Sequence, residues 1–257
     1  MDIVHDILSD ALGYDKTRFV DQAKVYYMIL CSGGLFFYLF FASCSFFYSF
    51  VLKRDTYFPP TIKKKDLARQ VAHEIWIAVA SLPFMAVAML PCPLFLYRGY
   101  GKMYKNVDDY GWSYFFLSIP CFLLFTDCLV YWSHRGLHHP VIYKHLHKIH
   151  HTYKFTTPFS SHAFHPLDGF MQGVPYYIFC YLFPMHNVLF IFMFVCINMW
   201  TISIHDQIDF GGHFINTTGH HTIHHEIFNY NYGQYTTTWD RIGGTYKPAK
   251  QTHKLFY

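Results

Sequence analysis

HRGLHH at His134–His139, HKIHH at His147–His151 and SHAFHP at Ser161–Pro166, echoed by HHTIHH at His220–His225, decide how this chain is read. Nineteen histidines in 257 residues are a large excess, and most of them fall in these clusters. Positions i, i+3 and i+4 of a helix share a face. His134 with His138, His147 with His150 and His151, and His221 with His224 and His225 are therefore each expected to aim imidazoles at one point. Neutral imidazole is the commonest nitrogen ligand of transition metals. No glutamate stands between the histidines, as it does in the zinc-protease helix. About ten candidate ligands also exceed the four of a tetrahedral zinc, so two metals are expected.

The rest of the composition places such a site at a membrane. The chain is 53% hydrophobic and 21% aromatic, and its 14% of charged residues is well under the roughly 25% of soluble domains. A net charge of +4, scattered along the chain, excludes a nucleic-acid footprint. The seven cysteines (Cys31, Cys44, Cys92, Cys121, Cys128, Cys180, Cys196) lie in apolar stretches without CxxC spacing. They are expected to be buried small hydrophobes, not a disulfide framework or zinc ribbon.

Roughly 20 apolar residues span a bilayer, and Val25–Leu52, Ile75–Tyr97 and Ser113–Trp132 meet that length. Pro83, Pro91 and Pro93 interrupt the second run, which membrane helices tolerate where neighbours satisfy the freed carbonyls. Phe170–Phe183 and Val188–Ile204 are shorter and flank Pro184–Asn187, which predicts a hairpin dipping into or just across the membrane. The fold expected is an all-α integral membrane protein of about four transmembrane helices or helical hairpins, with a cytosolic histidine-rich helical cap. Its parts are residues 1–24, an N-terminal segment whose Ile3, Ile7, Leu8, Ala11 and Leu12 suit an interfacial helix; residues 25–112, two transmembrane helices and their loops; and residues 113–257, the catalytic domain. No cleavable signal peptide is read at the start.

The linker 53–74 carries Lys53, Arg54, Lys63, Lys64, Lys65 and Arg69, more basic residues than either 1–24 or 98–112. The positive-inside rule puts that linker in the cytosol. Successive crossings then bring all four histidine clusters to the same side. The sequon Asn216-Thr217-Thr218 falls on that side too and is expected to stay unmodified.

The boxes, together with TPFSSHAFHPLDGF (Thr157–Phe170), WTISIHD (Trp200–Asp206) and NYNYGQYTTTWDRIGG (Asn229–Gly244), resemble the fatty-acid-hydroxylase superfamily of membrane di-iron oxidoreductases. Within it they look most like the sterol C5-desaturases, over Phe125–Tyr246. The resemblance implies two Fe ions, O2 and membrane lipid as partners, and a delta-7 sterol converted to the 5,7-diene. It also implies electrons from NADH through cytochrome b5 reductase and cytochrome b5, and an endoplasmic reticulum membrane. The chain has no GxGxxG fingerprint and no CxxCH, so the electron donor is expected to be a separate protein. Sterol 4-methyl oxidases and other lipid hydroxylases share the boxes, and only TPFSSHAFHPLDG and NYGQYTTTWDRIGG favour the desaturase. A membrane metal carrier is the reading from another class. It predicts ionisable residues along a mid-membrane path, and these are nearly absent.

The ligand set expected from the clusters, and supported by the resemblance, is His134, His138, His147, His150, His151, His165, His205, His221, His224 and His225. His139, His162 and His220 each adjoin or neighbour a chosen ligand and suit a supporting role as well as ligation. Asp127, Asp168 and Asp206 are carboxylates placed to receive the other ring N–H of a ligand, as metal-bound histidines require. Glu226 and Asp240 lie nearby, the latter equally suited to an ion pair. His5, His73, His186, His213 and His253, standing singly, read as structural.

Overall fold

The structure is a computed structural model describing residues 2–57 and 63–249, so His253 lies outside it. A short helix, α1 (Asp2–Leu12), precedes α2 (Phe19–Leu52), which runs without a break but widens into π-turns at Ile29–Gly33 and Phe47–Leu52. Next come α3 (Lys64–Met89), α4 (Pro91–Tyr97), strand β1 (Met103–Tyr104), α5 (Gly111–Leu137) and α6 (Pro140–Leu146). The chain closes with α7 (Pro166–Leu182), strand β2 (Met185–His186), α8 (Asn187–Ser203), α9 (Thr218–Ile227) and α10 (Thr238–Ile242).

Helices α2, α3 and α5 are long and apolar enough to cross a membrane, the shortest of them measuring about 39 Å at 1.5 Å per residue. Their outer faces carry Phe36, Trp76, Phe84, Phe116 and Leu124, each more than 60% exposed. An apolar belt of that size has no place in water and is the surface a bilayer covers. Cys44 and Cys121 are exposed and only Cys180 is buried, so the expectation of seven buried cysteines is corrected: a thiol needs no burial where lipid is the neighbour. All seven are free.

Two boundaries move from the sequence reading. The first span starts at Phe19 and not Val25 because its polar first turns are satisfied locally. Gln22 donates to the Lys16 carbonyl at 2.6 Å and accepts from Arg98 at 2.8 Å. The second span ends at Met89, and Pro91 opens a separate helix, since a proline at the first helical position gives up no needed N–H.

Helices α7 and α8 form the expected hairpin. Each has 17 residues, about 25 Å of helix, and their turn pairs in parallel with the connection that follows α4. Met103 lies opposite Met185 and Tyr104 opposite His186, and Tyr114 donates to the Pro184 carbonyl at 2.9 Å. The hairpin tip therefore reaches the same depth as the far ends of α3 and α5. Gly169 and Gly173, one turn apart on α7, let α3 come close, since a Cβ at either would collide with Met85 or Met89.

The histidine boxes and the basic linker share the opposite end. Gln70 near the start of α3 donates to the Phe155 carbonyl at 2.8 Å, and Tyr153 meets His73 at 2.8 Å. Two carboxylates inside span helices serve the same end. Glu74 binds Thr157 and Gln70. Asp127 accepts from the Tyr235 N–H at 2.8 Å and the Thr236 hydroxyl at 2.7 Å. Both anchor loops of the histidine end.

Candidate metal centre

Nine imidazoles gather in two groups, within each of which the ligand atoms lie no more than 4.8 Å apart. One holds His134, His138, His147, His151 and His224; the other holds His150, His205, His221 and His225. His134 and His138 share a group as expected, whereas the expectation of a single point is corrected for the other two boxes. His150 and His151 go to different groups, as do His224 and His225, because neighbours on a helical turn point about 100° apart. The groups touch, with the His151 and His225 rings 4.7 Å apart and the His147 and His150 rings 5.4 Å apart.

Each ring is delivered by an element whose sequence fixes its position. His134 ends α5 and His138 caps it. Pro140 opens α6, His147 closes it, and a tight 3-10 turn then carries His150 and His151. His205 follows the last turn of α8, and α9 presents His221, His224 and His225.

Backbone and carboxylate acceptors set the tautomers. His134 donates from Nδ1 to the Tyr232 carbonyl (3.0 Å), His224 to the Tyr230 carbonyl (2.8 Å) and His205 to the Thr201 carbonyl (2.7 Å). His147 donates from Nδ1 to Asp168 at 2.7 Å. With the proton on Nδ1, each Nε2 carries a bare lone pair. Yet the Nε2 atoms of His134 and His147 face each other at 3.2 Å, and buried His224 Nε2 has no partner. In the other group the bare His205 Nε2 lies 2.9 Å from His221 Nε2, which lies 3.1 Å from His225 Nε2, so three ring nitrogens converge there. Converging lone pairs repel unless a cation lies among them, so this donor set fits a metal in each group. Burial, reinforced by the neighbouring rings, holds His151, His205, His221, His224 and His225 well below the ordinary histidine range and lowers His150 to about 3. The rings are therefore neutral and free to ligate.

His165, expected among the ligands, stands in neither group. It is the N-cap of α7, where its Nδ1 accepts from the Leu167 N–H at 3.2 Å, a task that occupies that ring nitrogen. His139 is exposed at the start of α6. His220 caps α9, its Nδ1 lying 3.1 Å from the Thr217 hydroxyl, where a capping box usually has a glutamate. His162 lies outside both groups, against Ser161 and Asn198. Of the three carboxylates, Asp168 bonds one of the nine grouped imidazoles, that of His147. Asp127 anchors the 230s loop, and Asp206 binds the Ser45 hydroxyl and the Ile208 N–H.

Sequence reasoning missed the acceptor carbonyls of Thr201, Tyr230 and Tyr232, because a backbone oxygen leaves no mark in residue type. The one residue type that marks this loop is Asp240. It makes no ion pair with Arg241 but takes the N–H groups of Tyr232 and Gly233, each at 2.8 Å, and so holds the loop that orients His134.

Below the two groups lies a cavity of about 420 Å3 lined by His134, His150, His205 and His221 at one end and by Val4 of α1 among others. Between them the wall is mostly apolar, with Phe37, Met85, Met89, Tyr177 and Phe194. Its size is ordinary for small-molecule sites, about 300–1,000 Å3.

The fatty acid hydroxylase family profile matches residues 119–245, the stretch from mid-α5 through α10. Lathosterol oxidase of Rattus norvegicus is 46% identical over 222 residues, 84% of this chain and 72% of its own length. The human lathosterol oxidase is 44% identical over 224 residues, again 84% and 72%. The Delta(7)-sterol 5(6)-desaturase of Leptosphaeria maculans is 44% identical over 237 residues, 91% of this chain and 64% of the fungal one. No solved structure matches. With nine histidines in two groups above an apolar cavity, the chain belongs to the fatty acid hydroxylase family, in the branch that holds the sterol C5-desaturases.

Proposed function

We propose that this chain is an oxygen-dependent sterol C5-desaturase that introduces the 5,6 double bond into a delta-7 sterol. The observation that carries the reading is the continuity of two buried imidazole groups with one apolar cavity, through His134, His150, His205 and His221. The hydrogens at C5 and C6 leave with two electrons, an external donor supplies two more with two protons, and O2 ends as two waters. Two Fe ions, one in each group, would supply the oxidising power for an unactivated C–H bond.

The chain's own residues do the rest. The Thr201, Tyr230 and Tyr232 carbonyls and Asp168 fix the ring tautomers, and the apolar wall keeps water from the reacting carbons. Residues 113–257 form the catalytic part and residues 25–112 anchor it, although α2 and α3 also wall the cavity. The segment ahead of the first span, residues 2–18, lies at the interface, where α1 exposes Val4, Ile7 and Leu12.

The basic linker lies at the histidine end, and the positive-inside rule then gives that end to the cytosol. A cytosolic centre suits delivery of electrons by cytochrome b5 and its NADH-dependent reductase, and an endoplasmic reticulum membrane suits both donor and sterol. The test is sterol profiling by mass spectrometry of cells lacking their own C5-desaturase and expressing this chain. 5,7-Diene sterols, lost with His150→Ala, are expected. A hydroxylated sterol or lipid in their place would reassign the chain to a sister activity.

A further inference from the structure

The apolar cavity has one polar corner that the metal groups do not use. Asn198 and Thr201 share the face of α8 that leads to His205, and all three line the cavity. A helical turn rises 5.4 Å, so the Asn198 side chain lies about two turns from the metal group. His162 meets it there from the turn before α7, with Nε2 3.3 Å from Asn198 Oδ1.

Neither atom has a proton to offer. Ser161 Oγ lies 2.6 Å from the Pro158 carbonyl, a separation that requires the serine hydrogen between them. Ser161 therefore has only a lone pair for His162 Nδ1 at 2.9 Å, which puts the imidazole proton on Nδ1 and leaves Nε2 bare. On the other side, Asn198 Nδ2 donates to the Phe194 carbonyl at 2.7 Å. That fixes the amide orientation and leaves Oδ1 as the atom facing His162. Two acceptors thus converge on the wall of an apolar cavity with no donor between them. Such a pair is costly alone and is satisfied by a ligand O–H.

We propose that His162 and Asn198 receive the 3-hydroxyl of the sterol, which donates into the space between His162 Nε2 and Asn198 Oδ1. The assignment rests on the sterol reading above and sets the direction of the substrate. C3 is two bonds from C5, so a hydroxyl held here fixes where the C5–C6 bond stands in the cavity. The pair selects for a hydrogen-bond donor at C3, not simply for a polar group.

The test compares three substrates on the unmodified enzyme in membranes supplied with its electron donors: a delta-7 3β-hydroxysterol, its 3-ketone and its 3-deoxy analogue. The alcohol is expected to exceed both others by about tenfold or more in kcat/KM, because the ketone can accept but not donate. Equal turnover of alcohol and ketone would overturn the proposal. Asn198→Leu should then cut kcat/KM for the alcohol by about tenfold while leaving the 3-deoxy substrate unchanged, which also shows that the variant is folded. Equal losses on both substrates would place Asn198 in the scaffold and refute its role. If the unmodified enzyme makes no diene from the alcohol, the sterol reading itself fails, and that result differs from a lost preference among substrates that all react.

Discussion

His147 donates its Nδ1 proton to the Asp168 carboxylate across 2.7 Å, and neither side chain is exposed to solvent. Asp168 also takes the Gln172 amide at 2.7 Å, so the carboxylate is held from behind while it orients a ligand. Asp168→Asn keeps the shape and removes the charge. Iron retention and turnover are expected to fall about ten- to a hundredfold, read by metal analysis and diene formation on the purified protein. Undiminished iron and turnover would reduce Asp168 to a packing residue.

Asp240 acts on the same group from further away, through Tyr232 and the carbonyl that accepts from His134. Asp240→Ala is expected to lower activity, with a milder loss for Asp240→Asn, which can still accept one backbone N–H through its oxygen. The ordering of the two variants at matched expression is the measurement. Equal and full activity in both would detach the loop from the centre.

The split of adjacent histidines makes a sharper forecast. His151→Ala removes an imidazole from one group and His150→Ala from the other, so each should abolish turnover while the protein stays membrane-inserted. His165→Ala removes only a helix cap, costing about 1 kcal/mol of stability, and should keep its iron. Loss of metal in His165→Ala comparable to that in His151→Ala would return His165 to the ligand set.

Acid should unfold the metal-free protein early. In the unfolded chain histidine takes its proton near pH 6.5, whereas burial holds folded His150 down to about 3. Below pH 6.5 the unfolded state thus binds protons that the folded state refuses, and stability falls with pH until the folded value is reached. Above about pH 6.5 neither state holds the proton and the group contributes no slope. Thermal unfolding of chelator-treated protein in detergent should occur at lower temperature at pH 5.5 than at pH 7.5; a flat profile would contradict the buried, neutral rings.

Asn216 should carry no glycan. Its side-chain amide is buried and bonded to the Gly233 carbonyl, so the folded protein hides the acceptor on either side of the membrane. Glycosidase treatment should leave the gel mobility unchanged. A shift would place this loop on the other side of the membrane during synthesis and break the shared location of the boxes.

Much of this was legible in the residues. Hydrophobic runs set the three long helices, because spanning a bilayer demands about 20 apolar residues in a row and little else does. The hairpin could be read from two shorter runs around Pro184, and the metal chemistry from histidines too many and too close for packing. Nine of the ten candidate ligands come together in the two groups. The tenth, His165, is indistinguishable from them in sequence, since a histidine one residue before a helix-opening proline can be either ligand or cap.

The sequence by itself determined that this chain is a membrane protein with a histidine-rich centre, because apolar length and imidazole spacing are local properties. Only the tertiary structure decided how the boxes divide into two groups, which carbonyls set their tautomers, and that His162 and Asn198 face each other across 3.3 Å. Those relationships join residues up to about a hundred positions apart. Their geometry follows from how α5, α7, α8 and α9 pack, and no periodicity in one segment encodes it.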